Sequence, residues 1–414
     1  MGRIASTWDG AALSKKSRDI NYWLRIIFVI VLGMLAARWL SGFDWWREVT
    51  YRTYGILLRA SQSPPRFVQN TALVLIDDDD YWTADSEWER RTPLRRDTLA
   101  KLIAQVAKAS PSAIAIDIDL RAQRPDGRVL THSRYDDETK VLFDTIVEVS
   151  KKTPIVLPRT VSLDERSSEP VLDADLFDSI LGGKVGAGFT RLPADVRNLA
   201  LSTAVGKRRV DSLAAAAARF VTRESIEAAD ERDGDDLPFS MFLDPRLFAK
   251  RTASARDVLA GKPQALAKLL GKAVVIGGAW HREAYGRGEV VDRHLTPVGM
   301  MPGAMIHANY IEALLGQRSF RPAYHWVHYV IDVLVGIALA AIFVAARGAW
   351  TIVYLAVLGV IVALLSVIAF QNLGTFFDGV PALILLGAHA AFETVSEWKE
   401  AYDEHRHCVR EAEA

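Results

Sequence analysis

One cysteine, Cys408, is all that 414 residues contain, so an intrachain disulfide is excluded. A domain outside the reducing cytoplasm would then rest on its apolar core, and a chain this long can bury a substantial one. Cys408 itself reads as a free thiol near the end of the chain. Net charge is also lacking: 50 lysines and arginines balance 50 aspartates and glutamates. Nothing in that balance argues for a nucleic-acid partner, and none is expected. Several chemical signatures are missing too. No G-x-x-x-x-G-K-[ST] occurs, because Gly261-Lys262 is followed by Pro263. Gly277, Gly278, Gly286 and Gly288 do not fall in G-x-G-x-x-G spacing. There is no H-E-x-x-H, no other zinc spacing and no G-x-S-x-G. His405, His407 and Cys408 read as a solvated tail rather than a metal trio. The sequence therefore predicts no cofactor, no resident metal and no enzymatic activity.

What the chain does have is a sharp segregation of hydropathy. Four apolar stretches have the roughly 20-residue length that a bilayer core requires. They cover residues 23–41, 325–346, 350–370 and 380–396, with a domain of about 280 residues (42–322) between the first and second. Residues 1–22 form a basic leader carrying Arg3, Lys15, Lys16 and Arg18. Under the positive-inside rule this places the N-terminus in the cytoplasm and the large domain outside. An even number of spans returns the 397–414 tail to the cytoplasm. The expected partner is a lipid bilayer, the inner membrane of a bacterial cell, with the domain in the periplasm. Trp23, Trp39, Trp45 and Trp46 suit interfacial belts.

Within the large domain, apolar β-branched runs alternate with amphipathic helical patterns. Strands are expected at 72–76, 113–118, 155–157, 185–189 and 273–276. Helices are expected at 94–107, 136–149, 176–181, 212–221, 253–259 and 305–315. That alternation predicts an α/β fold with a mainly parallel sheet covered on both faces. The stretch from Gly271 to Gly316 organises the whole. It reads as a buried strand, a Gly-rich charged loop with Asp292, Arg293 and His294, then a helix closed by Gly316 in the C′ position.

Aspartates mark the expected strand ends: Asp77 and Asp78 after the first strand, Asp117 and Asp119 after the second. Ligands in open α/β sheets bind at that carboxyl edge, and Asp292 is expected to join from the loop. Two aspartates two apart on a strand share a face. Such carboxylates hold arginines, cap helices or bind a ligand, a divalent cation among them. Asp332 lies about two turns into the second span, where a carboxylate costs roughly 2.5 kcal/mol or more if central. It either reaches interfacial water or contacts another span, Arg38 being the candidate. In the tail, Ala391, Val395, Trp398, Tyr402, His405 and Val409 follow 4-3-4-3-4 spacing. This is a short a/d stripe, suited to a helix pairing in a homodimer, with Trp398 and Tyr402 as relay positions.

These blocks resemble the second type of CHASE domain, the extracellular sensory domain associated with bacterial cyclases and histidine kinases. The resemblance rests on Leu73-Val74-Leu75-Ile76-Asp77-Asp78, on Thr92-Pro93-Leu94-Arg95-Arg96 and on Ala115-Ile116-Asp117-Ile118. It continues through 254–261, 271–277, Asp292, Thr296-Pro297, Pro302-Gly303 and Ile306-His307-Ala308-Asn309. One span before the domain and three after it fit as well. The resemblance implies a sensor of signals outside the cell, and the residues expected to bind the ligand are Asp77, Asp78, Asp117, Asp119, Asp292, Thr296 and His307. Its relatives pass the signal to a cytoplasmic cyclase or kinase. Here only about 19 residues follow the fourth span, too few for a folded domain, so the effector is expected on a separate chain or the sequence is a fragment. The rival readings are a structural subunit of a membrane complex and, further off, a metal-dependent enzyme outside the membrane.

Overall fold

The computed structural model describes residues 43–61, 68–91, 94–120, 133–163, 170–172, 176–206, 208–222, 238–283, 286–316, 319–323, 325–345 and 349–376, with a few isolated positions beside them. It divides into two compact units, Leu58–Pro322 and the remainder.

The Leu58–Pro322 unit is built on one sheet. Its strands are β1 (Thr71–Ile76), β2 (Ala113–Asp117), β3 (Ile155–Arg159), β4 (Val185–Phe189), β5 (Thr252–Ser254) and β6 (Ala273–Gly278). Their spatial order is β5-β1-β6-β2-β3-β4, and every neighbouring pair is parallel. β1 and β6 are buried along almost their whole length, which is why they read as unbroken apolar runs rather than alternating ones. The helices of this unit include α2 (Asp78–Tyr81), α3 (Arg96–Lys108), α4 (Ser133–Ser150), α5 (Leu213–Thr222), α6 (Ala255–Leu259) and α7 (Gly303–Leu315); α1 (Asp44–Ser61) precedes them.

The two faces of the sheet are covered in different ways. On one, the even-numbered side chains Ala72, Val74, Ile76, Ile114, Ile116, Val274 and Ile276 meet Leu99, Leu102, Ile103 and Val106 of α3. Leu142 and Ile146 of α4 and Val258 of α6 complete this core. The other face mixes Leu73 and Val275 with small residues, Ala113, Ala115, Ala273, Gly186, Gly188 and Gly277, and receives α5 and α7. Ala214, Ala215, Ala216, Ala217 and Ala218 of α5 are all buried. Gly188 lets the backbone of Leu213 approach to 2.6 Å from where a β-carbon would stand. Gly277 admits Ala304 of α7, whose methyl lies 2.4 Å from the same kind of position. Small side chains on both partners set a close helix-to-sheet spacing.

Elements that periodicity does not show are short ones. β5 has three residues and lies at the sheet edge, where the sequence pattern merges it with α6. The charged loop after β6 is two hairpins: β7 (His281–Glu283) with β8 (Arg287–Val290), then β9 (Arg293–Thr296) with β10 (Gly299–Pro302). β2 ends at Asp117, one residue before the expected boundary. Gly316 caps α7 in a right-handed conformation, φ −85°, and not in the left-handed one a C′ glycine would adopt.

In the other unit, α8 (His325–Ala345) and α9 (Ala349–Leu373) coincide with the second and third apolar stretches. Among the described residues, one helical segment, Val353–Leu373, is long and apolar enough to cross a membrane by length and composition. Its Val357, Val360, Leu364 and Leu365 are exposed. Tyr54 of α1 meets Phe370 of α9 edge to face at 5.7 Å, and Phe376 at 4.9 Å. The fourth expected span and, apart from Trp39, the first lie outside the described residues, as do Arg38 and Trp398.

Candidate functional site at the carboxyl edge of the sheet

β6 lies between β1 and β2. The chain leaves β1 and β2 toward the α3–α4 face and leaves β6 toward α7 on the other. Adjacent connections departing on opposite faces open a crevice at the carboxyl ends of the strands. Two groups of ionisable residues stand along that edge.

The first group follows β1, and its four consecutive aspartates have separate structural tasks. Asp77 is the N-cap of α2 and forms a capping box: it accepts from Asp80 N at 3.0 Å while Asp80 accepts from Asp77 N at 3.1 Å. Asp80 also accepts from Ser254 Oγ (3.0 Å), Ala255 N (3.2 Å) and Arg256 N (2.8 Å), tying the start of α6 to the end of β1. Asp78 accepts from the backbone of His281 at 2.7 Å and pairs with its Nδ1 at 2.6 Å. Asp79 is exposed. Burial, reinforced by the neighbouring Asp80 carboxylate, pushes Asp77 up to about 6. Tyr81 stacks on Trp280 with centroids 4.7 Å apart, which closes this corner with aromatic surface.

The second group brings Asp117, Asp292 and His307 together and adds His294. Asp117 ends β2 opposite Gly277 of β6. Its side chain is 8% exposed and that of His307, on α7, is 3% exposed. His307 Nε2 lies 3.8 Å from Asp117 Oδ1 and 3.1 Å from the carbonyl of Thr190. A carbonyl only accepts, so Nε2 carries the proton and Nδ1 is left as the acceptor of the neutral ring. Neither His307 Nδ1 nor Asp117 Oδ2 has a hydrogen-bond partner among the described residues. Asp292 sits just ahead of β9 in a left-handed conformation, φ 56°. There its Oδ1 pairs with His294 Nε2 at 2.7 Å. Its carbonyl accepts from Gly303 N at 2.8 Å, at the start of α7.

The electrostatics follow from this placement. Burial raises Asp117 to about 6; His307 and His294 pull it down, and the Asp292 carboxylate pushes it up. The hydrogen bond to Asp292 holds His294 above the usual imidazole range. Among the described residues, no three His, Cys, Asp or Glu side chains are arranged to hold a metal ion.

The remaining sequence candidates lie elsewhere. Asp119 is exposed, two residues past the end of β2, so the shared-face argument does not reach it. Thr296 is buried in the β9–β10 turn, its Oγ1 donating to the Gly299 carbonyl at 2.5 Å. Asp332 falls within α8, and Tyr402 is helical and exposed.

Two further buried residues of α7 are structural keys. Glu312 accepts hydrogen bonds from Gln69 N, Asn70 N, Asn70 Nδ2, Thr71 N and Thr71 Oγ1, all between 2.9 and 3.1 Å. Asn309, fully buried, accepts from Leu243 N at 2.8 Å and donates to Met305 O at 3.0 Å. A polar residue inside an otherwise buried helical stripe is the signal that could have found both.

These elements define an α/β domain with buried polar atoms, unpartnered among the described residues, at the carboxyl edge of its parallel sheet. The chain belongs to the CHASE2 domain family, whose model matches residues 26–346, and CHASE2 domains are extracellular sensory domains. No curated protein and no solved structure matches the chain.

Proposed function

We propose that this chain is a membrane-anchored receptor that detects a cue with its outward α/β domain and relays it to a separate cytoplasmic effector. The observation that carries the reading is the CHASE2 match across the whole sheet, together with Asp117 Oδ2 and His307 Nδ1, buried at the sheet's carboxyl edge without a partner among the described residues. Asp117, Asp292, His294 and His307 are the receptor residues, while Asp77, Asp78 and Asp80 build the frame around them. α7 carries His307, and a short strand, Ser319–Pro322, is the one element in sequence between it and α8. The membrane-length helix Val353–Leu373 supports anchoring in a bilayer. The proposed topology puts four spans in a bacterial inner membrane, the sensor domain outside and both termini in the cytoplasm. A homodimer is the expected assembly, and Asp332, Trp398 and Tyr402 are the relay positions.

The native chain offers a direct test, since Cys408 is its only cysteine. A membrane-impermeant maleimide applied to intact cells should leave Cys408 unlabelled and should label Asp79→Cys in a Cys408→Ser background. Labelling of Cys408 with protection of position 79 inverts the topology and sinks the receptor reading. Crosslinking the full chain in its host should then recover one reproducible cyclase or kinase; recovery of the homo-oligomer alone argues against an effector in trans.

A further inference from the structure

We propose that the cue is the proton itself, bound by the Asp117–His307 pair at the carboxyl edge of the sheet. The proposal rests on the receptor reading for its biological meaning, while the site is argued from geometry. A buried carboxylate oxygen without a donor is costly, and a proton removes the charge that burial penalises. Asp117 Oδ2 is such an atom, and Nδ1 of the neighbouring His307 is a second buried atom without a partner among the described residues. The Nε2–H of His307 is committed to Thr190, so at 3.8 Å the Asp117–His307 pair is close without being a closed hydrogen bond.

The surroundings of Asp117 fit a proton site better than a site for a larger ion. α7 presents His307, the segment leading into β9 presents Asp292 and His294, and β6 presents only Gly277, against which the Asp117 side chain packs. The 190 loop contributes a carbonyl. These are one opposing carboxylate and two imidazoles, and their influences on Asp117 differ in sign. The net result is a carboxyl that titrates near 6, roughly two units above an exposed aspartate and inside the range an extracytoplasmic domain meets. Ionised Asp117 leaves Oδ2 a buried acceptor without a donor. Protonated Asp117 sheds that charge and gains a hydroxyl donor on the side of the sheet that faces α7, so proton uptake changes the force between the sheet and α7.

The test is hydrogen exchange of the α7 backbone in the full chain, reconstituted in lipid nanodiscs and corrected for the chemical exchange rate. Between about pH 5 and about pH 7.5, protection of 303–315 should change with a midpoint near 6. Asp117→Asn should abolish the transition. Asp292→Asn should move the midpoint down and His294→Gln should move it up, each by on the order of half a unit. The last two variants keep Asp117 in place, so the proposal stays testable if Asp117→Asn does not fold. A flat profile in the wild type, or a midpoint indifferent to all three substitutions, overturns it. A flat profile in a chain with the expected Cys408 topology removes the proton and leaves the receptor. A titrating α7 in a chain with inverted topology does the opposite.

Discussion

The carboxylate of Asp292 occupies the space that a β-carbon on Gly303 would need: Oδ2 lies 1.9 Å from that position. Asp292 is held there by its left-handed backbone and its pair with His294, so it has little room to give. Gly303→Ala should expel the carboxylate, at a cost of about 1–3 kcal/mol, and return His294 toward the ordinary imidazole range. Proton NMR of histidine-labelled chain, with His294 assigned through His294→Gln, reads the second effect. An unchanged His294 titration in Gly303→Ala would refute the fit.

Stability should fall as pH rises through the range of Asp117. The folded value of about 6 exceeds the ordinary 3.8, so the native state holds the proton more tightly than the unfolded chain does. The stabilising contribution is complete below about pH 4 and is lost as pH climbs through 6. About two units at 1.36 kcal/mol each amount to roughly 3 kcal/mol. Asp77, also raised to about 6, and His294, raised as well, act with the same sign. In thermal melts of the full chain, Asp117→Asn should match the wild type below about pH 4 and exceed it near pH 7.5. Equal melting temperatures at both would contradict the assignment.

Glu312 is the anchor of α7 at the start of β1. Its five donors leave no place for an amide hydrogen, so Glu312→Gln puts a donor against donors. The expected loss is about 2–4 kcal/mol, larger than for an exposed glutamate because hydrogen bonds to a buried charge are lost. Chemical denaturation of Glu312→Gln against Glu289→Gln, an exposed control, checks it. Similar midpoints for the two would mean the network contributes little.

Gly188→Ala should be harder to accommodate than Gly186→Ala. A β-carbon at 188 would lie 2.6 Å from backbone atoms of Ser212 and Leu213, whereas at 186 it would meet the ring of Phe220 at 2.7 Å. A ring at the end of a helix can turn aside and a backbone cannot. Melting of the two variants side by side should show Gly188→Ala as the more damaged, by on the order of 1–3 kcal/mol.

The sheet was legible where burial on both sides writes itself as an apolar run. Leu73 to Ile76 and Val274 to Ile276 are such runs, and each ends at a residue that cannot continue them, Asp77 or Gly277. β5 left no such trace, because three residues at an edge carry no period. The hairpins between β6 and α7 were hidden for a different reason. Their strands are polar and mostly exposed, so backbone pairing, and not side-chain burial, defines them. At the site, strand-end positions place Asp117 at the sheet edge and the loop after β6 brings Asp292 to it, whereas His307 arrives on α7, where no strand-end argument points. Asp77 and Asp78 share the strand-end position; their caps and partners are what set them apart. His294 could not be found from spacing, since its partner is set by the backbone turn at Asp292.

Glu312 gives α7 a mechanical property. The helix runs opposite to the strands, its first residue beside the Asp117 crevice and its last turn fastened to the first residues of β1. Thirteen residues span about 20 Å, so the site and the chain's exit lie at opposite ends of one rod. Glu312 at one end and Ala304 against Gly277 at the other fasten this helix to the sheet at both of its ends, so the whole length of α7 is tied to the strands beneath it.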